Sequence, residues 1–209
     1  MMAGIVSTAC SAANGYFGHN HRFTTAPARF PAMSSQPLRE PLQESLREPE
    51  PAFDEAGFRR ALSQFATGVT VITTRGDGGS FVGLTASSFN SVSLSPPLVL
   101  WSLAANARTM PLFRANSHYV INVLAADQAA LAERFASRIE DRFQNVGFDL
   151  SPTGLPILHG VSAWFECRNR SRYPEGDHVI FVGEVERCAY EPKPGLVYHR
   201  SRLGALDLS

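Results

Sequence analysis

From Val69 to Ala104 the apolar side chains recur at every second position, in short runs divided by turn residues. These are VTVITTR (69–75), a DGG turn (77–79), FVGLTAS (81–87), SVSL (91–94) and LVLWSLA (98–104). Period two belongs to the pleated strand, and strands joined by so few residues pair antiparallel, because a parallel neighbour needs a long crossover. HYVINVLA (118–125), VSAWFECRNRSRY (161–173) and HVIFVGEVERCAYE (178–191) extend the set. Many short strands with few helices predict a mainly β protein: a small closed or partly closed β-barrel with flanking helices, not a doubly wound sheet.

Three segments carry the helical period instead. In FDEAGFRRALSQFATG, Asp54 is placed as an N-cap, Phe53 and Phe58 have the spacing of a hydrophobic staple across it, and Phe58, Leu62 and Phe65 form one stripe. Gly68 is placed to end that helix. A short helix is expected over 109–114 and another over 127–138, with Asp127 as its cap. Residues 1–52 read as a disordered extension, since prolines between Pro27 and Pro51 interrupt a charged segment and Pro41 breaks the Leu38, Leu42, Leu46 stripe. Met33 offers an alternative start. One ordered domain, 53–209, is expected to follow.

Lys plus Arg and Asp plus Glu are balanced at 19 each, so no overall field draws the chain to nucleic acid or to an acidic membrane. No apolar run approaches the roughly 18 residues that cross a bilayer. Cys10, Cys167 and Cys188 are odd in number and lack CxxC spacing, which suits neither a disulfide framework nor a metal site. The start, MMAGIVSTACSAANG, has no positive n-region, so a cytoplasmic location is expected.

The familiar catalytic motifs are absent. GDGGSFVG (76–83) lacks GxGxxG spacing and opens no helix, and there is no Walker loop, HExxH or GxSxG elbow. What stands out is GLTASSFNSVSLSPPLVLW (83–101), hydroxylated yet regular. Its outward hydroxyls and amides suit the edge of a flat heterocycle, with Leu84, Ala86, Phe89 and Val92 supporting its face. The same composition equally suits an edge strand that resists sheet-to-sheet pairing. In NARTMPLF (106–113), Asn106 is placed to cap a short helix whose amides, with Arg108 and Thr109, would hold a phosphate; a capped surface helix with a solvated arginine has the same pattern. His178, after Gly176 and Asp177 at a strand mouth, could donate to a carboxamide or anion, or simply face solvent.

FRRALSQFATGVTVITT, GLTASSFNSVSLSPPLVLW, NARTMPLF, YVINVLA, DHVIFVGEV and YHRSRLGAL, in that order from Phe58 to Leu206, resemble the flavin reductase family. Its members are the small components that supply reduced flavin to two-component monooxygenases. The resemblance implies an FMN-binding split barrel, a homodimer, FMN or FAD as flavin, and NADH or NADPH as hydride donor. It implies that Thr85, Ala86, Ser87 and Ser88 line the flavin ring and ribityl chain, with Ser91, Val92 and Ser93 in the same wall. It further implies that Asn106, Ala107, Arg108 and Thr109 contact the flavin phosphate and that His178 faces the nicotinamide. Free flavin, pyridine nucleotide and an oxygenase component would be the partners.

One departure touches the site. Such proteins commonly read Tyr, two residues, Gly, one residue, aromatic near the C-terminus; here Tyr198 is followed by Ser201 and Leu203, with Arg202 between them. Tyr198 and Arg202 are the binding residues implied on that side. The departure keeps a rival in view, a non-catalytic flavin-binding or electron-storage protein on the same barrel. A more distant rival, a pyridoxamine phosphate oxidase type of enzyme, would require a basic pocket for the phosphate of a vitamer.

Overall fold

The strands form where the alternation places them, with ends shifted by one or two residues. A computed structural model of the chain describes residues 53–205. The expected extension over 1–52, Cys10 included, lies outside the described residues. The strands are β1 (Thr67–Gly68), β2 (Thr70–Arg75), β3 (Phe81–Ala86), β4 (Asn90–Leu94), β5 (Pro97–Ala104) and β6 (His118–Val123). They continue with β7 (Phe148–Leu150), β8 (Pro156–Leu158), β9 (Ala163–Glu175), β10 (His178–Tyr190), β11 (Leu196–His199) and β12 (Arg202–Ala205). The helices are α1 (Glu55–Leu62), α2 (Met110–Ala115) and α3 (Ala129–Ala136).

Seven strands make one sheet in the order β3-β2-β6-β9-β10-β5-β4, every pair antiparallel. Its two edges, β3 and β4, are consecutive in sequence and joined by Ser87–Phe89 alone. A link of three residues reaches at most about 14 Å, so the sheet must curl until its edges nearly meet. The result is a split barrel. A second sheet, β1-β11-β12, and the β7-β8 hairpin lie outside it.

The curl gives β2 two buried faces, which explains why all of Thr70 to Thr74 is buried. Ile72 points into the barrel, where Trp101 stacks on Phe181 at 4.6 Å and meets Phe113 and Tyr119 edge-on. Val71 belongs to a second core under α3 with Leu124, Phe135, Leu158 and Leu196. The buried hydroxyl of Thr73 donates to Pro156 O (2.7 Å), and buried Asn122 accepts from Leu158 N (2.9 Å), so polar residues in β2 and β6 dock β8. Glu166 on β9, fully buried, fastens the loop before β8. It accepts from the Ser151 hydroxyl, from Thr153 Oγ1 (2.6 Å) and N (3.2 Å), and from Arg187 (2.8 Å). Burial pushes its carboxyl up, but these bonds outweigh burial and hold it below the usual range.

Two glycines permit close approach. A Cβ at Gly83 would lie 2.7 Å from the Phe135 ring, and one at Gly183 would collide with the Tyr119 hydroxyl and sit 2.9 Å from Cys167 Cβ. Cys167 is buried, and burial pushes its thiol far up, so it is inert; Cys188 is exposed and also free.

Three expected helix boundaries need correction. Asp54 does cap α1, accepting from Gly57 N at 2.6 Å, but the helix stops at Leu62 and unwinds through Ser63 to Phe65. Gly68 does not end it, because Thr67 and Gly68 are drawn into the ladder with Tyr198 and Val197. The cap of α3 is Gln128, not Asp127; its side chain accepts from Ala125 N (3.0 Å) and donates to His159 O (2.8 Å). The N-cap position of α2 is Thr109, so Asn106 caps nothing and sits in the turn before it.

Gly183→Ala should cost about 1–3 kcal/mol by overpacking, seen as a lower urea midpoint. Glu166→Gln should cost about 1–3 kcal/mol at pH 7 by weakening charge-assisted bonds. Because the folded Glu166 carboxyl titrates below its unfolded value of about 4.3, its contribution is present above that pH and lost as pH falls through the folded value. Urea titrations across pH 7 to 3 should therefore show the acid loss of stability in the native chain and a shallower one in Glu166→Gln.

Candidate functional site

The split between β3 and β4 is where backbone polar groups run out of partners. Strand β3 ends at Ala86, and among the described residues no backbone hydrogen bond engages the amides of Ser87, Ser88 or Phe89. The hydroxyls around them divide into two kinds. Thr85 donates to Ala132 O on α3 (2.6 Å), Ser93 Oγ accepts from Ser95 N (3.2 Å), and Ser88 Oγ accepts from Ser102 N on β5 (2.9 Å). Those three hold the structure. Ser87 and Ser91 are exposed, and their hydroxyls have no protein partner among the described residues. Ala86 faces the barrel core. Val92 is the extra residue of a β-bulge, since Ser91 pairs with Val99 and Ser93 with Leu98, and it stands half exposed.

Ser88 carries the seam to β5, whose far end meets the turn between β9 and β10. Ala104 pairs with His178, and Ala105 N donates to Asp177 O at 2.8 Å. Residues 106–109 leave from that point in a turn held by Ala107 N to Ala104 O (3.0 Å), with the amides of Asn106, Arg108 and Thr109 free of backbone partners. Arg108 is exposed and makes no ion pair among the described residues. Its charge is felt at Arg142, whose guanidinium donates to Gly83 O (2.7 Å) and Ser137 O (2.5 Å). Burial, and then Arg108, lower the Arg142 pKa.

His178 Nδ1 lies 2.7 Å from Asp177 Oδ1. This bond and the imidazole charge hold the exposed Asp177 carboxyl below its usual range, so the carboxylate accepts and Nδ1 carries the proton. Nε2 is then left for a ligand.

A cleft of about 740 Å³ opens on the other side of β3. It gathers Thr85, Ser87, Tyr198 and Arg202, four of the expected residues, between α3 and the β11-β12 hairpin. Ser88, the β4 residues 91–93, the 106–109 turn and His178 are not part of its lining. Glu133, with the alanines beside it on α3, does line it; DQAALAERFASR reads as an ordinary apolar helix face, and only the placement of α3 over β3 brings these residues to the cleft. The hairpin tip, Arg200 and Ser201, has φ of 49° and 62°. The two-residue loop pairing His199 with Arg202 holds both positions at positive φ, the type I′ geometry, which accounts for a glycine being usual where Ser201 stands.

The donor set fits a flavin. Free amides and hydroxyls suit the heteroatom edge of its ring, the volume lies within the range of small-molecule sites, and free amides with Arg108 suit a phosphate.

Comparison with known proteins agrees. The chain belongs to the family of the flavin reductase like domain, which matches residues 62–207. It is 42% identical over 147 residues to "FMN reductase (NADH) SmoA" of Agrobacterium fabrum, covering 70% of this chain and 83% of that protein. It is 38% identical over 155 residues to "Flavin-dependent monooxygenase, reductase subunit HsaB" of Rhodococcus jostii, covering 73% and 79%. Three other curated relatives are longer, and the chain spans 64%, 48% and 46% of them. Among solved structures, the NADH:FAD oxidoreductase SgcE6 of Streptomyces globisporus, in complex with NAD and FAD fragments, superposes with a TM-score of 0.71. It is 36% identical, over 74% of this chain and 94% of that one.

Ser201→Gly should relieve the left-handed strain and stabilise the domain by about 1 kcal/mol, read as a higher urea midpoint with an unchanged slope.

Proposed function

We propose that the chain is an NAD(P)H-dependent flavin reductase, an oxidoreductase that transfers hydride from NADH or NADPH to FMN or FAD and supplies reduced flavin to a partner monooxygenase. The observation that carries this reading is the seam from Ser88 to Ser102. It ties the link that carries the unpaired amides of Ser87–Phe89 to β5, whose end leads into the 106–109 turn and pairs with His178 of β10.

A bound flavin would supply the redox chemistry by accepting hydride at its ring. The chain's own residues bind and align. The amides of Ser87, Ser88 and Phe89 donate toward the ring edge where negative charge develops, without reorganising. Arg108 and the amides of 106–109 hold the phosphate. Asp177 fixes the His178 tautomer, and Nε2 orients the nicotinamide carboxamide. Tyr198 and Arg202 wall the cleft. No acid or base is required, and the rate comes from holding donor and acceptor at about 3–3.5 Å.

The names of relatives support NADH as donor and both FMN and FAD as acceptors, and the Rhodococcus name supports an oxygenase partner. The bare apolar side chains of α1 and of the turn after it, with Phe58 48%, Leu62 58% and Phe65 76% exposed, support a homodimer that covers them. No helix among the described residues is long and apolar enough to cross a membrane. Ser201 and Leu203, in place of glycine and an aromatic, favour the second reading, a flavin-binding protein without turnover.

Purified protein should oxidise NADH with added FMN, FAD or riboflavin, followed at 340 nm, and the rate should saturate in flavin. A yellow protein that oxidises neither nucleotide would instead establish the non-catalytic binder. His178→Ala should raise KM for the nucleotide roughly 3- to 10-fold, the loss expected for one hydrogen bond. An unchanged KM and kcat would remove the role of His178.

A further inference from the structure

On α3, Glu133 sits one turn from Ala129 and from Ala136, so its carboxylate rises from a bed of methyl groups on the face that lines the cleft. The cleft also holds the hydroxyls of Thr85, Ser87, Tyr198 and Ser201, which can accept but are neutral. Arg202 only donates, and the Thr85 hydroxyl gives its proton to Ala132 O, which also pins this turn of α3 to β3. Glu133 is the one carboxylate in the lining, and among the described residues it forms no ion pair or hydrogen bond.

Its carboxylate is exposed at the cleft and uncommitted among the described residues, and a ligand that satisfies it presents several O–H donors close together. A phosphate at the same spot would be repelled by the like charge. Resting on the flavin reductase reading proposed above, we propose that Glu133 is a polyol-binding, phosphate-excluding residue that accepts from the vicinal hydroxyls of a sugar chain. That chain is either the ribityl arm of the flavin or a ribose of the nucleotide.

The test is direct binding to the full-length protein, by equilibrium dialysis, for the native chain, Glu133→Gln and Glu133→Ala. Four probes separate the sources: riboflavin against lumiflavin, which keeps the ring and lacks the ribityl arm, and 5′-AMP against 2′,5′-ADP. A ribityl contact predicts that Glu133→Ala weakens riboflavin about 3- to 10-fold, the loss of one or two hydrogen bonds, and leaves lumiflavin unmoved. A ribose contact predicts weaker 5′-AMP and tighter 2′,5′-ADP, with Glu133→Gln shifting the second alone. If both probe ratios stay constant across the three proteins while binding itself persists, the proposal is overturned and the flavin reading stands. If the native chain binds none of the four probes, the flavin reading falls and takes this inference with it.

Discussion

The pairing of β5 with β10 is the contact on which both core and site depend. Seven consecutive pairs, from Glu184 opposite Leu98 to His178 opposite Ala104, fix one register. That register lays Trp101 on Phe181 in the middle of the barrel and, at the end of the same ladder, delivers His178 to the turn that carries Arg108. A slip of one residue would turn Trp101 out of the core and His178 away from the site. Packing and function are therefore specified by the same hydrogen bonds.

The closeness of the two sheet edges follows from chain length, since only three residues link them. The edges are not paired with each other, which leaves backbone donors unclaimed beside a cleft. Elsewhere in the main sheet the buried polar groups of Thr73, Asn122 and Glu166 are bonded, while Thr67 Oγ1, Trp101 Nε1, Tyr119 OH and Asn169 Oδ1 are buried without a partner among the described residues. Exposed, unpaired amides at one place in such a structure form a ready-made surface for a polar ring.

Much of this was legible along the chain. Alternation gave the strands of the main sheet, and ordered motifs gave the family and most of the residues around the split. The short pieces were harder to read. Strands β7, β8, β11 and β12 run three or four residues each, and the β11-β12 loop uses Arg200 and Ser201 where a glycine or asparagine would have announced a turn. Gly68 looked like a helix stop because the sequence does not disclose that β11, some 130 residues later, recruits it into a ladder. The hydroxyl run was half structural: Thr85, Ser88 and Ser93 bond within the protein, and Ser87 and Ser91 do not. Nothing in the local pattern separates those two groups.

By itself the sequence determined the class of fold, because strand period and turn residues are local properties, and it indicated the kind of ligand through its ordered resemblance to the flavin reductase family. The tertiary structure decided which hydroxyls and amides are free, and it alone set Glu133 over the cleft and His178 beside the 106–109 turn. The physical reason is that a hydrogen bond is a pairing across space. Whether a hydroxyl or amide serves the fold or a ligand depends on what the closed barrel brings within about 3 Å of it, and that distance is fixed only when distant strands have met.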